Sequence, residues 1–313
     1  MSYTKPNRLK SGDLIGIISP ASTPNDHSLI EKGIKYIESF GFRTLPGKNL
    51  GKTRGYLAGS DKERVDDIHQ MFSNKKVKAI ICLRGGYGAF RLLDKIDYQI
   101  IKKNPKIFVG FSEITALQMA FLQKANLITF AGPMVASNFA SEISEFTEEN
   151  FWFSVTSQNK SIEINFSKYQ IISKQKTGIT SGRLIGGNLA VLTAMIGSRY
   201  LPSLKNNILF LEEISEPPYK IDRMLNQLRL SGIINEVNGI ILGNFIDCEE
   251  SDKNKKSLTL IEVLKDYFGE LKIPVIHSFP HGHSKNIITF PIGIKINVNA
   301  DKGIIEFLES GVR

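Results

Sequence analysis

The chain has 313 residues, 42% of them hydrophobic and 23% charged, with a formal net charge of +9 from 40 Lys and Arg against 31 Asp and Glu. These values fit an ordinary soluble protein, with two domains favoured over one. They exclude a membrane-spanning chain, because no stretch approaches the ~20 apolar residues needed to cross a bilayer, and they give no nucleic-acid footprint, because the lysines are spread without interleaved aromatics. The start lacks the apolar core of a secretion signal, and there are only two cysteines, Cys82 in an apolar run and Cys248 in a polar loop. A cytoplasmic protein without disulfides is therefore expected.

Read in order, "LIGIIS" (14–19) is a strand. Residues 26–40 form a helix, with Leu29, Ile30, Ile34 and Ile37 on one face and Gly41 as its stop. "GSDKERVDDIHQMF" opens a second helix with a capping box, Ser60 followed three residues later by Glu63. "VKAIICL" (77–83) is a continuous apolar strand, "GYGAFRLLDKI" a short helix, "KIFVG" (106–110) a strand and "ITALQMAFLQKAN" a helix. This alternation predicts a mainly parallel, helix-flanked sheet, with ligands beyond the carboxyl ends of its strands.

From about 140 to 180 the sequence turns polar and irregular, which places the division there: an N-terminal domain over 1–145, a linker over 146–178 and a C-terminal domain over 179–313. The second half begins with "GRLIGGNLAVLTAMIG". It continues through the strand "NILFLEE", the helix "YKIDRMLNQLRLSG", the strand "GIILGNF" and a helix over 258–268. It closes on "IKINVNADKGIIEFLE", two alternating runs around a polar turn, predicted as an antiparallel hairpin.

Three places can carry chemistry. Ser112 stands where the strand "KIFVG" gives way to a helix, a setting for a nucleophile with the next N–H facing the same space, and equally for a simple N-cap. "LRGGYGAF" (83–90) follows another buried strand and suits a backbone that approaches a ligand and presents N–H groups, yet it matches neither common nucleotide fingerprint. A serine needs a base, and of five histidines three cluster in "PVIHSFPHGHSKNIITFPIG": His277, His281 and His283. Pro280 breaks any helix that would align His277 with His281, so zinc is not expected, and spacing does not say which histidine acts. The acid that would orient it lies among Glu212, Glu213 and Glu216, with 212 and 213 on opposite faces of a strand.

Five blocks, "CLRGGYGAFRLLDKIDY", "FVGFSEITALQ", "GRLIGGNLAVLTAMIGSRYLP", "ILFLEEISEPPYKIDRMLNQLRLSGI" and "PHGHSKNIITFPIG", together resemble the LD-carboxypeptidase family, the muramoyltetrapeptide carboxypeptidases. The resemblance runs in order over nearly the whole chain. It implies a serine peptidase with Ser112 as nucleophile, Glu212 as acid and His283 as base. Oxyanion donors would come from the backbone of Gly86 and Glu113, and substrate contacts from Arg84, Gly85 and Tyr87. It implies an α/β fold with a Rossmann-like, flavodoxin-like parallel-sheet domain and a smaller C-terminal mixed α/β domain with a β-barrel-like core, usually in homodimers. The implied substrate is a murein tetrapeptide losing its terminal D-alanine, with no metal or organic cofactor. Two departures stand out: Ser112-Glu113 where relatives commonly have Ser-Asp, and Glu212-Glu213 where Glu-Asp is frequent. The alternatives are a microcin-C immunity-type peptidase acting on a peptide–nucleotide antibiotic, and a non-catalytic small-molecule binder on the same fold.

Overall fold

Short runs, apolar on both faces everywhere but at one edge strand, set the first sheet. In the computed structural model, which describes residues 3–159, 163–165, 170–171, 178–252 and 254–313, these runs are β1 (Leu14–Ile18), β2 (Arg43–Pro46), β3 (Val77–Cys82), β4 (Ile107–Gly110) and β5 (Thr129–Ala131). They pair in parallel in the order β5-β4-β3-β1-β2. The connections run through α1 (Ser28–Ser39), α2 (Asp61–Ser73), α3 (Tyr98–Lys103) and α4 (Thr115–Ala125). Strand periodicity sorts the side chains: Ile15, Ile17, Ala79, Ile81, Ile107 and Val109 enter one apolar cluster. Ile18, Ile80, Cys82 and Phe108 enter the other, as a sheet covered on both faces requires. The capping box is present, with Ser60 Oγ accepting from the Glu63 N–H and the Glu63 carboxylate from the Ser60 N–H.

A helix, α5 (Glu145–Thr156), follows, and here the structure differs from the sequence reading. Phe151 and Val155 of α5 bury themselves in the first sheet's outer cluster, so the segment from 146 to 156 packs with the N-terminal half instead of linking. Most of the rest of the expected linker, residues 160–162, 166–169 and 172–177, lies outside the described residues.

The second half builds a larger mixed sheet. Its strands are β6 (Glu163–Asn165), β7 (Gln170–Ile171), β8 (Ile179–Asn188), β9 (Ile208–Ile214), β10 (Gly239–Ile246) and β11 (Val275–His277). Between them lie α6 (Leu189–Ala194), α7 (Pro218–Leu230), α8 (Ile233–Glu236) and α9 (Leu260–Phe268). After β11 the chain crosses back, and β12 (Phe290–Ile292) pairs antiparallel with β5 at the edge of the first sheet. β13 (Lys295–Asn299) and β14 (Ile304–Phe307) then form the expected hairpin. The second sheet has the order β6-β14-β13-β8-β9-β10-β11-β7. β8 serves two partners: Ile179–Arg183 pairs antiparallel with β13, and Leu184–Asn188 pairs parallel with β9, which curls the sheet. One continuous core joins the halves, with Leu117 and Phe121 of α4 sharing a cluster with Leu184, Leu209 and Phe210.

Removing the α2 cap should cost about 1 kcal/mol. Urea denaturation of Ser60→Ala is expected to show that loss with an unchanged m-value, and an unaltered midpoint would show that the box contributes nothing.

Candidate active site

β3 and β4 are parallel neighbours, so the turns at their carboxyl ends lie side by side. After Gly110, Phe111 is still extended (φ −153°, ψ −170°), but Ser112 flips to φ 62° before one 3-10 turn leads into α4. The N-cap of α4 is Ile114, and no side chain caps it, so Ser112 is not a helix cap. A left-handed serine costs roughly 1–2 kcal/mol, and it is held by neighbours that cannot move: Glu113, Ile114 and Thr115 are all buried. Gln118 of α4 completes the support by donating to the carbonyls of Gly110 and Phe130 at the ends of β4 and β5.

The glycine-rich turn leans directly on this serine. A Cβ on Gly85 would stand 3.1 Å from both Cβ and Oγ of Ser112, so any side chain there would press on the serine and push it by a few tenths of an ångström. Side chains hold the turn from three directions. Ser22 Oγ accepts from the Tyr87 N–H (3.1 Å), and Glu113 Oε1 accepts from the N–H groups of Gly88 (2.7 Å) and Ala89 (2.8 Å). Buried Arg64 donates to the carbonyls of Pro20 (2.6 Å) and Gly88 (2.8 Å) and pairs with Asp61. Among the described residues no acceptor takes the N–H of Gly86 or of Glu113. Desolvation raises the Glu113 carboxyl above its ordinary pKa, against the pull of the backbone N–H bonds it accepts. Tyr87 is half exposed, its ring edge-on to Tyr56, and half-buried Arg84 makes no ion pair among the described residues.

The other half of the site lies in the carboxyl-terminal part of β9 and in the loop between β11 and β12. Strand alternation separates the two glutamates, which are both almost wholly buried. Glu212 Oε2 lies 3.0 Å from His283 Nδ1, while Glu212 Oε1 has no partner among the described residues. Glu213 turns the other way, accepting from Asn188 Nδ2 (2.7 Å) and from the N–H groups of Ala190 (2.8 Å) and Ile214 (2.9 Å). Burial is the main cause of its raised pKa. Glu216 pairs instead with Lys220, one helical turn on. A carboxylate at Nδ1 selects the tautomer protonated there and leaves Nε2 as the basic pole. Gly282 makes room for the pair: its φ is +132° and a Cβ there would lie 3.2 Å from Glu212 Oε2.

The histidine loop packs against the nucleophile turn through Phe111, whose ring lies 5.0 Å from His283 and 5.7 Å from His281. The three clustered histidines make different hydrogen bonds. His277 Nδ1 meets Ser278 Oγ, while His281 is boxed by Phe111, Phe210 and Phe290 with Nδ1 on the Ile288 carbonyl. His69 accepts from the Asp97 N–H, and His27 is exposed at the start of α1. Among the described residues no group of three or more His, Cys, Asp or Glu side chains is arranged to hold a metal. Both cysteines are buried, with thiols pushed up by desolvation, Cys248 to about 11. A hydroxyl on a strained turn, an imidazole backed by a carboxylate, and two unengaged N–H groups form the set that acyl transfer needs. The sequence reading missed Phe111, Arg64, Thr115 and the Glu113 side chain, because nothing in their spacing marks them.

Burial depresses His281 to about 4. Its folded-state pKa thus lies below the ~6.5 of an unfolded histidine, so the unfolded chain binds more protons between those values. The stability it contributes is complete above pH ~6.5 and is lost as pH falls towards 4. The stability gap between wild type and His281→Asn is expected to narrow by roughly 3 kcal/mol from pH 7 to pH 4. A gap independent of pH in denaturation experiments would show that this imidazole is not held neutral.

Residues 15–132 match the LD-carboxypeptidase N-terminal domain and residues 181–298 the LD-carboxypeptidase C-terminal domain. A probable murein peptide carboxypeptidase of Bacillus subtilis (strain 168) is 37% identical over 312 residues, covering 98% of this chain and 95% of that protein. Among solved structures, a muramoyltetrapeptide carboxypeptidase from Oxalobacter formigenes superposes with a TM-score of 0.83 at 31% identity, covering 94% of this chain and 97% of its own. A variant of the microcin C7 self-immunity protein in complex with adenosine monophosphate gives 0.90 at 27%, covering 99% and 100%. With both domain matches and near full-length relatives in hand, the chain belongs to the LD-carboxypeptidase family and is a peptidase.

Proposed function

We propose that the protein is a serine-type LD-carboxypeptidase that releases the terminal D-alanine of murein tetrapeptides, with Ser112 as nucleophile, His283 as base and Glu212 as the acid that orients it. The observation that carries the reading is the 3.0 Å contact between Glu212 and His283, on the loop packed through Phe111 against a left-handed Ser112. Ser112 Oγ attacks the carbonyl of the L-centre as its proton passes to His283 Nε2. The buried Glu212 carboxylate stabilises the imidazolium, and the N–H groups of Gly86 and Glu113 receive the oxyanion. Collapse expels D-alanine as the imidazolium protonates its amine. Water, activated by the same imidazole, then hydrolyses the acyl-enzyme and restores the serine. No metal or organic cofactor takes part in these steps.

In this reading Gly85, whose backbone lies against Ser112, and Tyr87 contact the substrate, and Arg84, a half-buried cation without an ion pair among the described residues, meets the terminal carboxylate. The reading includes a homodimer working in the cytoplasm, in keeping with two unpaired cysteines. The domain division of the sequence reading is kept in functional form: 1–145 supplies the nucleophile and 179–313 the acid and base.

A second reading is favoured by the 0.90 TM-score to the self-immunity protein: cleavage of a peptide–nucleotide conjugate. Incubation with the two substrate classes separates them, and free D-alanine read by mass is the expected result. Cleavage of the conjugate alone would transfer the assignment. Ser112→Ala is expected to lower turnover by several orders of magnitude without unfolding the protein, and adding His283→Ala should cost little more, because the members act as one unit. Turnover within tenfold of wild type would overturn the nucleophile.

Arg84→Met removes a charge-assisted contact of ~1.5–3 kcal/mol, about ten to a hundredfold. KM is expected to rise by that factor with kcat nearly unchanged. The same factor should separate a peptide ending in D-alanine from one ending in L-alanine, whose carboxylate would point into the methyl subsite.

A further inference from the structure

The brace under the glycine-rich turn calls for a reason beyond packing. Glu113 is only 5% exposed, and burial works against its charge. An apolar side chain would fill the same space without that cost. What a carboxylate adds is direction. Its Oε1 takes two successive N–H groups, of Gly88 and Ala89, in a turn where Gly88 itself is left-handed at φ 116°. Ser22 Oγ takes the N–H of Tyr87, and Arg64 holds the Gly88 carbonyl from the far side. Three consecutive N–H groups are thus held by side chains, and the Gly86 N–H just before them is left without an acceptor among the described residues. Glu113 also follows Ser112 directly, so its side chain ties the turn after β3 to the turn after β4, where its own N–H is the second donor.

We propose that the Glu113 carboxylate is a positioning residue for acyl transfer, fixing the glycine-rich turn so that the N–H groups of Gly86 and Glu113 converge on one oxyanion. The proposal rests on the serine-peptidase reading above. Because the oxyanion exists only in the transition state, loosening the brace lowers kcat and leaves KM nearly unchanged; a loss of folded protein would also lower apparent kcat, but it would cut the final extent of fluorophosphonate labelling and leave the labelling rate constant unchanged.

The test compares Glu113→Met, which keeps the volume and drops the acceptor, with Glu113→Gln, which keeps an acceptor oxygen without the charge. Both are assayed for D-alanine release and for the rate at which a fluorophosphonate labels Ser112. For Glu113→Met, kcat and labelling rate are expected to fall about a hundredfold, the scale of a lost oxyanion donor, with KM within about threefold. Glu113→Gln should recover most of that loss, staying about fivefold to tenfold below wild type because neutral hydrogen bonds are weaker than charge-assisted ones. Glu113→Met with kcat and labelling within about threefold of wild type, or an equal rise in KM, would overturn the proposal. If Glu113→Met does not fold, Glu113→Gln decides: a fivefold loss in kcat at constant KM supports the brace, and less than about twofold overturns it. Ser112→Ala, run in parallel, tests the underlying reading by itself. If that variant still turns over substrate, the serine mechanism fails whatever Glu113 does. If it is inactive and unlabelled while Glu113→Met behaves as wild type, only the positioning role is lost.

Discussion

Three residues of edge pairing, Phe290 to Ile292 against Thr129 to Ala131, tie the histidine loop to the sheet that carries Ser112. The histidine loop leaves β11 in the second sheet and returns through β12 to the first, so His283 hangs on a span fixed at both ends in different sheets. Phe290 also belongs to the aromatic box around His281, and Phe111 is shared by that box and by the nucleophile turn. A shift of β12 by one residue would exchange its core and outer faces and carry the whole loop with it. The contact between Glu212 and His283 is therefore set by strand register as much as by side-chain chemistry.

Two adjacent buried carboxylates, Glu212 and Glu213, would repel if they shared an environment. The sheet keeps them apart by sending them to opposite faces, and each face answers its own charge. Glu213 receives three N–H donors, two of them at the start of α6; Asn188, one of these partners, caps α6 by accepting from the Val191 N–H and donates its own backbone N–H to Thr115 Oγ1 at the start of α4. Glu212 keeps one oxygen on the histidine and leaves the other without a protein donor among the described residues. The contrast is functional in form. A carboxylate saturated by fixed N–H groups has little charge left for an imidazolium, whereas one with few partners directs its charge at the ring.

How much of this was legible depended on what each residue's neighbours in sequence could reveal. The strands β1, β3, β4, β9 and β10 stood out because they are mostly apolar, α2 because its capping box opens the helix, and α7 because of its amphipathic periodicity. β2 was missed since none of its four residues is buried, and β5 because it has only three. α5 was hidden behind a polar first turn, although Ser144 caps it by accepting from the Thr147 N–H. "GYGAFRLLDKI" became a single 3-10 turn over Ala89–Leu92, since the glycines before it are committed to the turn beside Ser112. Within the site, the serine and the glycine turn could be read locally. The different surroundings of His281 and His283 could not, because Phe210 and Glu212, which help to define them, lie more than seventy positions away.

The site is strained where it must be reactive and polar where it must be rigid. Ser112 gives up roughly 1–2 kcal/mol of backbone preference to lift its hydroxyl off the strand axis, a state that persists only because the surroundings over-determine it. The over-determination comes from buried polar groups on both sides of the serine: Glu113 and Arg64 beneath the glycine turn, Gln118 on the carbonyls of the neighbouring strand ends, Thr115 across to the second half. Apolar packing alone would tolerate small sliding of these turns, since dispersion contacts are non-directional. Hydrogen bonds in a water-poor interior lose free energy steeply when misaligned. The fold thus buries charge at the positions where misaligned hydrogen bonds would shift the two turns that meet at Ser112.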